Sequence, residues 1–304
     1  MRVLVTGSSG FLGRHVAEHL ASLAAYEVGG FDVRPMRHDL FATTVGDLCD
    51  LDAVERAISG ADVVVHFGGV GDVDVATEHP ELAAAANVVG TMNVALASQR
   101  SGARLVYAST WEVYGPPRSD PVDEQHPCDP GHVYGATKLA GEQMLRAIQR
   151  SDGLPVAILR LGTAYGSGMR PNAVFSRFAD LARDGRPITV HGSGRQWRQF
   201  THTSDIVRAV ELAAESDRED LTLNVVADEA VTIRELAEIV SSRYGVPVAF
   251  GAERHGDPPS STISSAQAGL LLGWSAQVAF RDGLGVLLAE TDAAAGDLTV
   301  AQDS

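Results

Sequence analysis

Residues 2–13, RVLVTGSSGFLG, restrict what this chain can fold into more than any other stretch. A short apolar run, a turn carrying Gly7, Gly10 and Gly13, and an apolar-periodic segment reaching to about Ala24 follow without a break. An apolar run closed by glycine reads as a buried strand, and the helical period after it reads as a helix. The pattern then repeats. Apolar runs at 26–32, 61–69, 103–110 and 154–162 alternate with helical stretches at 50–59, 81–100 and 132–150. Strands apolar on both faces and separated by helices predict an α/β fold, a Rossmann-like doubly wound parallel sheet. Past Gly166 the order changes. Short strands at 187–192 and 221–226 alternate with helices at 204–215 and 232–243, which reads as a smaller C-terminal α/β lobe, not a continued sheet. The expected boundaries are 1–166 for the sheet domain, with the chain free to return to the sheet later, and 167–292 for the mainly substrate-binding lobe. Residues 293–304 lack an apolar face and read as a loosely held tail.

The glycines fall at G-x-x-G-x-x-G between a strand and its helix. There the backbone turns tightly and can approach a pyrophosphate, which then sits on the helix N-terminus. Asp32 closes the second strand about twenty residues on, as a dinucleotide fingerprint requires. Its carboxylate would accept from the adenosine ribose hydroxyls and repel a 2′-phosphate, which favours NAD over NADP. Arg34 pulls the other way, because it could meet that phosphate. Ser9, Phe11 and Leu12 complete the turn as candidate cofactor contacts. Further on, Tyr134 and Lys138 form Y-x-x-x-K, which puts phenol and ammonium on one helix face. A phenol is a poor base at neutral pH, and a nearby ammonium favours its phenolate. The hydroxyls of Ser109 and Thr110, at the end of the fourth strand, could complete a proton relay.

Charge narrows the partners. A formal net charge of −15 over 304 residues argues against nucleic acid or an anionic membrane, which need clustered Lys and Arg. The two cysteines, Cys49 and Cys128, have no metal-type spacing and point to a reducing compartment. With no signal-like leader and no apolar run long enough to span a bilayer, a cytoplasmic location is expected. The ten histidines show no clustered ligand spacing, so no metal site is expected. His66 reads as a packing residue at a strand end, and Trp197 as either a base-stacking or a lobe-core side chain.

Several motifs then line up in order: GSSGFLG, Asp32, GDL at 46–48, VVHFGG at 64–69, NVVGT at 87–91, STWEVYG and YGATK. LRLGTAYG at 159–166, GSGRQWRQF at 192–200 and RHGDPP before LGW at 272–274 continue the series. In this order they make the chain resemble the extended short-chain dehydrogenases/reductases, specifically the NAD-dependent nucleotide-sugar epimerase/dehydratase family, over nearly its whole length. The resemblance implies Asp47 and Leu48 near the adenine, and Phe67, Gly68, Gly69 and Asn87 along the cofactor path. It implies Tyr134 as catalytic base, Lys138 on the nicotinamide ribose and Thr110 on the sugar hydroxyl. Arg198 and Arg254 fall where the family places diphosphate contacts, and Thr163 where many relatives carry Asn. A homodimer through segments 81–100 and 132–150 is likewise implied.

The chemistry implied is proton removal from a sugar C4 hydroxyl with transient oxidation at C4 of a nucleotide-diphosphate sugar. Return of hydride to the other face gives 4-epimerisation, the favoured outcome, since it needs only Tyr134, Lys138 and Thr110. Glu112 follows Thr110 as T-x-E, a pattern carried by dehydratases and decarboxylases of the family, so a 4,6-dehydratase or C6 decarboxylase is the alternative. Trp111 weighs against it, standing where one dehydratase pattern has the Asp that protonates the C6 leaving group. Some epimerases have Lys where this chain has Gly71. A 4-ketosugar reductase or a non-catalytic dinucleotide sensor are further alternatives, and the intact Tyr–Lys pair argues against the sensor.

Overall fold

The computed structural model describes residues 1–36, 38–171, 173–252 and 261–300, with side chains through residue 293. The first half lays down β1 (Arg2–Thr6), β2 (Glu27–Asp32), β3 (Ala42–Val45), β4 (Val63–His66), β5 (Arg104–Thr110) and β6 (Val156–Leu161). Between them run α1 (Phe11–Ser22), α2 (Leu51–Ile58), α3 (Val73–Glu78), α4 (Pro80–Ala84), α5 (Gly90–Ser101) and α6 (Val133–Asp152). A π-helical turn at Ala85–Val89 joins α4 to α5, so the expected helix at 81–100 is continuous but unevenly wound.

The second half adds β7 (Thr163–Tyr165), α7 (Val174–Arg183), β8 (Ile188–His191), β9 (Trp197–His202) and α8 (Thr203–Glu215). It ends with β10 (Asp220–Val225), β11 (Ala230–Thr232), α9 (Ile233–Tyr244), β12 (Val248–Gly251), α10 (Ala266–Leu272) and α11 (Phe280–Val300). The main sheet has seven strands in the order β10-β6-β5-β4-β1-β2-β3, all parallel. It is a Rossmann-like doubly wound sheet, as the alternation predicts.

Side-chain alternation along each strand feeds two cores. Val3, Val5, Val63, Val65 and Val106 pack against α1 and α8, while Leu4, Val64, Leu105 and Tyr107 pack against α2, α5 and α6. One sequence reading is corrected here: 221–226 and the helix at 204–215 belong to the main sheet, not to the smaller lobe. β10 lies beside β6 in parallel register, and α8 is the crossover that returns the chain to that edge. The LTLNVV run is apolar because both its faces are covered; Leu221, Leu223 and Val225 are buried.

Of the remaining elements, α10 packs on β10 and α8, and the others form a smaller α/β body. Its core stacks Tyr165, Phe175, Phe200 and Phe280, with the rings of Phe175 and Phe200 4.7 Å apart in a T-shaped pair. Residues 293–300 continue α11 as helical backbone. The edge strand β3 and the short strands β7, β11 and β12 carry too few residues for periodicity to reveal them.

Candidate active site

A cleft of about 670 Å³ opens at the C-terminal ends of the sheet strands, between the glycine turn and the lobe. At its cofactor end the main chain leaves no room for side chains. Gly7 has φ +71°, and a Cβ there would stand 2.7 Å from the backbone of Phe67 and Gly68. At Gly13 a Cβ would come within 2.2 Å of the Gly7 carbonyl oxygen. The N-terminus of α1 begins at Gly10, has no side-chain cap and no acidic residue in its first turn. Gly10, Phe11, Leu12 and Gly13 line the cleft there. Free amides at a helix start beside a glycine cradle fit a pyrophosphate.

Asp32 is buried at the end of β2, where it accepts from the Ser9 and Arg34 amides at 3.0 and 2.9 Å. It therefore ties the strand end to the glycine turn, with the Arg34 guanidinium 3.8 Å away. Arg34 lines the cleft. Asp47 is exposed and accepts from the Cys49 amide, whereas Leu48 is buried under Gly68. Phe67 and Gly69 reach the cleft. Asn87 acts from behind: its amide bonds both the N–H and the C=O of Val70 and donates to Thr137 Oγ1 at 2.9 Å. It clamps the loop after β4 to α6. His66 is fully buried between Thr6 Oγ1 (2.6 Å) and Thr91 Oγ1 (3.0 Å), and burial drives its pKa down to about 3.

At the other end, β5 delivers Thr110 and α6 delivers Tyr134 and Lys138 into one space. Thr110 and Tyr134 both line the cleft; burial, with the charge of Glu112, pushes the phenol pKa far above its ordinary value, against the opposing pull of the Thr110 hydroxyl and Arg170. Burial lowers Lys138 to about 7 against the opposing pull of Glu142, and its ammonium lies 4.4 Å over the Tyr107 ring. Ser109 is committed elsewhere, donating to Glu142 at 2.6 Å. Glu142 is held bidentately by buried Arg160 at 2.9 and 2.7 Å, a pairing that sequence reasoning did not reach.

Glu112 faces the same cleft. Burial raises its pKa to about 7, opposed by Arg170 and Arg198. Arg170, which no motif marks, lines the cleft beside Thr163 and is paired with Asp72. Arg198 lies on β9, donates to the Trp197 carbonyl at 2.9 Å and is outside the cleft lining. Trp111 lines the cleft and packs against the small apolar cluster built on Val113, Tyr114, Val122, Val226 and Ile263. Arg254 lies outside the described residues. Among the described residues no group of three His, Cys, Asp or Glu is placed to hold a metal, and no helix is long and apolar enough to cross a membrane.

A parallel sheet with a glycine cradle, a ribose-side carboxylate and a Thr–Tyr–Lys set define a nucleotide-cofactor enzyme of the short-chain dehydrogenase type. The model of the NAD dependent epimerase/dehydratase family matches residues 3–226, and the chain belongs to that family. It is 30% identical to a dTDP-glucose 4,6-dehydratase of Streptomyces niveus, over 93% of this chain and 90% of that one. It is also 30% identical to UDP-glucuronic acid decarboxylase 1 of Danio rerio, over 93% and 71% of the two chains. Among solved structures, the UDP-glucuronic acid 4-epimerase of Bacillus cereus, in complex with UDP-glucuronic acid and NAD, superposes with a TM-score of 0.86. That pair is 26% identical and covers 95% of this chain and 98% of the other. The cofactor of this extended short-chain dehydrogenase/reductase is NAD. Its relatives divide between epimerases, dehydratases and decarboxylases.

Proposed function

We propose that the protein oxidises C4 of a nucleotide-diphosphate sugar transiently and returns it with C4 inverted, as a 4-epimerase. One observation carries this: the cleft holds the Thr110–Tyr134 pair but, among its described lining residues, only two carboxylates, Glu112 and Asp72, and Asp72 is taken by Arg170. A 4,6-dehydratase needs a base for C5 and an acid for the C6 hydroxyl. Trp111 offers no proton for that second role.

In this reading Tyr134 takes the proton from the C4 hydroxyl, and Thr110 holds both hydroxyl and phenol in line. When bound, NAD supplies the acceptor for the C4 hydride. The phenol starts protonated; Arg170 favours its ionised form, and Lys138, one turn along the same face of α6, would do so when it carries its proton. Asp32 would select NAD over NADP at the ribose. Thr163 and Arg170 line the substrate end, with Arg198 and Arg254 as diphosphate contacts by likeness to the family.

A second reading, C5 deprotonation or C6 decarboxylation, is favoured by Glu112, whose pKa near 7 suits proton exchange at neutral pH. Incubation with UDP-, TDP-, GDP- and CDP-sugars, followed by NMR, separates the two. A C4-inverted product is expected; a 4-keto-6-deoxy sugar or a pentose would contradict it.

We also propose a homodimer through α5 and α6. Leu82 and Val89, seven residues apart, are 50% and 51% exposed on the segment leading into α5, and Ala136 and Ala147 are exposed on α6. A monomer by light scattering at micromolar concentration would refute this. The free thiols of Cys49 and Cys128 support a cytoplasmic setting.

A further inference from the structure

We propose that His132 is a positioning residue for Glu112: the ring that caps α6 also holds the Glu112 carboxyl at the sugar end of the cleft. His132 is the N-cap of α6, and its Nδ1 accepts from the Gly135 amide at 3.1 Å. A nitrogen that accepts carries no proton, so in the neutral ring the proton is on Nε2. That Nε2 lies 3.5 Å from Glu112 Oε2, a buried oxygen with no hydrogen-bond partner. The ring also lies parallel to Tyr134, 4° between planes with centroids 6.2 Å apart. Carboxyl and phenol thus line the cleft, with the imidazole packed beside both.

His132 is suited to a fixed role. A second proton would break the cap and set a cation at the positive end of a helix. Burial pushes its pKa below the ordinary value in the same direction. The charged groups facing Glu112 are Arg170 after β7 and Arg198 on β9, with Arg170 itself paired to Asp72, and the titratable neighbour on α6 is the neutral phenol of Tyr134. The two arginines favour the ionised carboxyl and burial opposes it. A few tenths of an ångström of closure bring Nε2–H into hydrogen-bond range of the unmatched oxygen. That contact stabilises the carboxylate and fixes its rotamer beside Tyr134.

The catalytic consequence rests on the C4-oxidation reading; the contact itself does not. The decisive variant is His132→Asn, since Asn is a strong N-cap but lacks the second ring nitrogen. The pKa of Glu112 is read in ligand-free protein by carbon-13 NMR of labelled glutamate, with Glu112→Gln assigning the signal. The expected result is a rise of about one unit in His132→Asn, the scale of one hydrogen bond to a charged group. His132→Ser, a second capping residue, should give the same rise and serves if the first variant folds poorly. An unchanged Glu112 pKa in a folded variant overturns the proposal. If no nucleotide sugar is turned over, the C4 reading fails while the titration still decides this one.

Discussion

At the glycine turn, Gly7 and Gly13 can carry no side chain, because backbone atoms stand closer than 3 Å to where a Cβ would go. At the other end of the cleft nothing so local operates. Thr110, Glu112, His132, Tyr134 and Arg170 come from three separated segments, and their geometry depends on hydrogen bonds and charges between them. The first region is shaped by main-chain sterics, which a short sequence must satisfy on its own. The second is shaped by side chains that meet only after the sheet has formed. Cofactor binding should therefore fail sharply on local substitution, whereas the reaction outcome should respond to small changes in distant side chains.

The harshest break of this contrast is Gly13→Val. A branched side chain would have to displace the Gly7 carbonyl that a Cβ already meets at 2.2 Å, so NAD binding by calorimetry should be lost entirely. Retained binding would show that the cradle is soft. Next comes Tyr134→Phe, which keeps the ring and removes the acid–base oxygen. Turnover should fall about a hundredfold or more with NAD affinity and fold intact, and near-normal turnover would remove the proposed chemistry. A smaller effect is expected at Asp32. Asp32→Asn should narrow the preference for NAD over NADP by about tenfold, read as the ratio of dissociation constants, by removing the charge that opposes a 2′-phosphate.

The smallest effect is in stability. Burial raises Glu112 from 4.5 to about 7. Its protonated form is the one the fold favours, so its contribution is fully present below pH 4.5 and is lost as pH rises through 7. Glu112→Gln should thus raise the Tm at pH 8 and not at pH 4. The side chain is 24% exposed, so solvent screening should keep the gain to about 1 kcal/mol or less. Equal Tm values at pH 8 would mean that the carboxyl is better solvated than its surroundings indicate.

The same contrast explains what was legible in the sequence. The strand–turn–helix, Asp32 and the Tyr–Lys spacing each sit in a stretch short enough for local pattern to carry them. The edge position of β10 was not legible, since a doubly apolar run does not say which neighbour it joins. Asn87 was expected along the cofactor path and lies behind the loop, where its amide holds Val70. Arg170 and His132 carry no motif at all. Their proximity to Glu112 is set by the ends of β7 and α6, two places no window of sequence compares.

The central claim is that C4 alone is touched, and solvent deuterium tests it most directly. The enzyme is incubated with NAD and its nucleotide sugar in deuterium oxide, and the recovered sugar is examined by NMR at C5. The account predicts a C4-inverted sugar without deuterium at C5, in the native protein and in Glu112→Gln alike. Deuterium at C5 that disappears in Glu112→Gln, together with loss of product, would contradict it and assign Glu112 to proton transfer at that carbon.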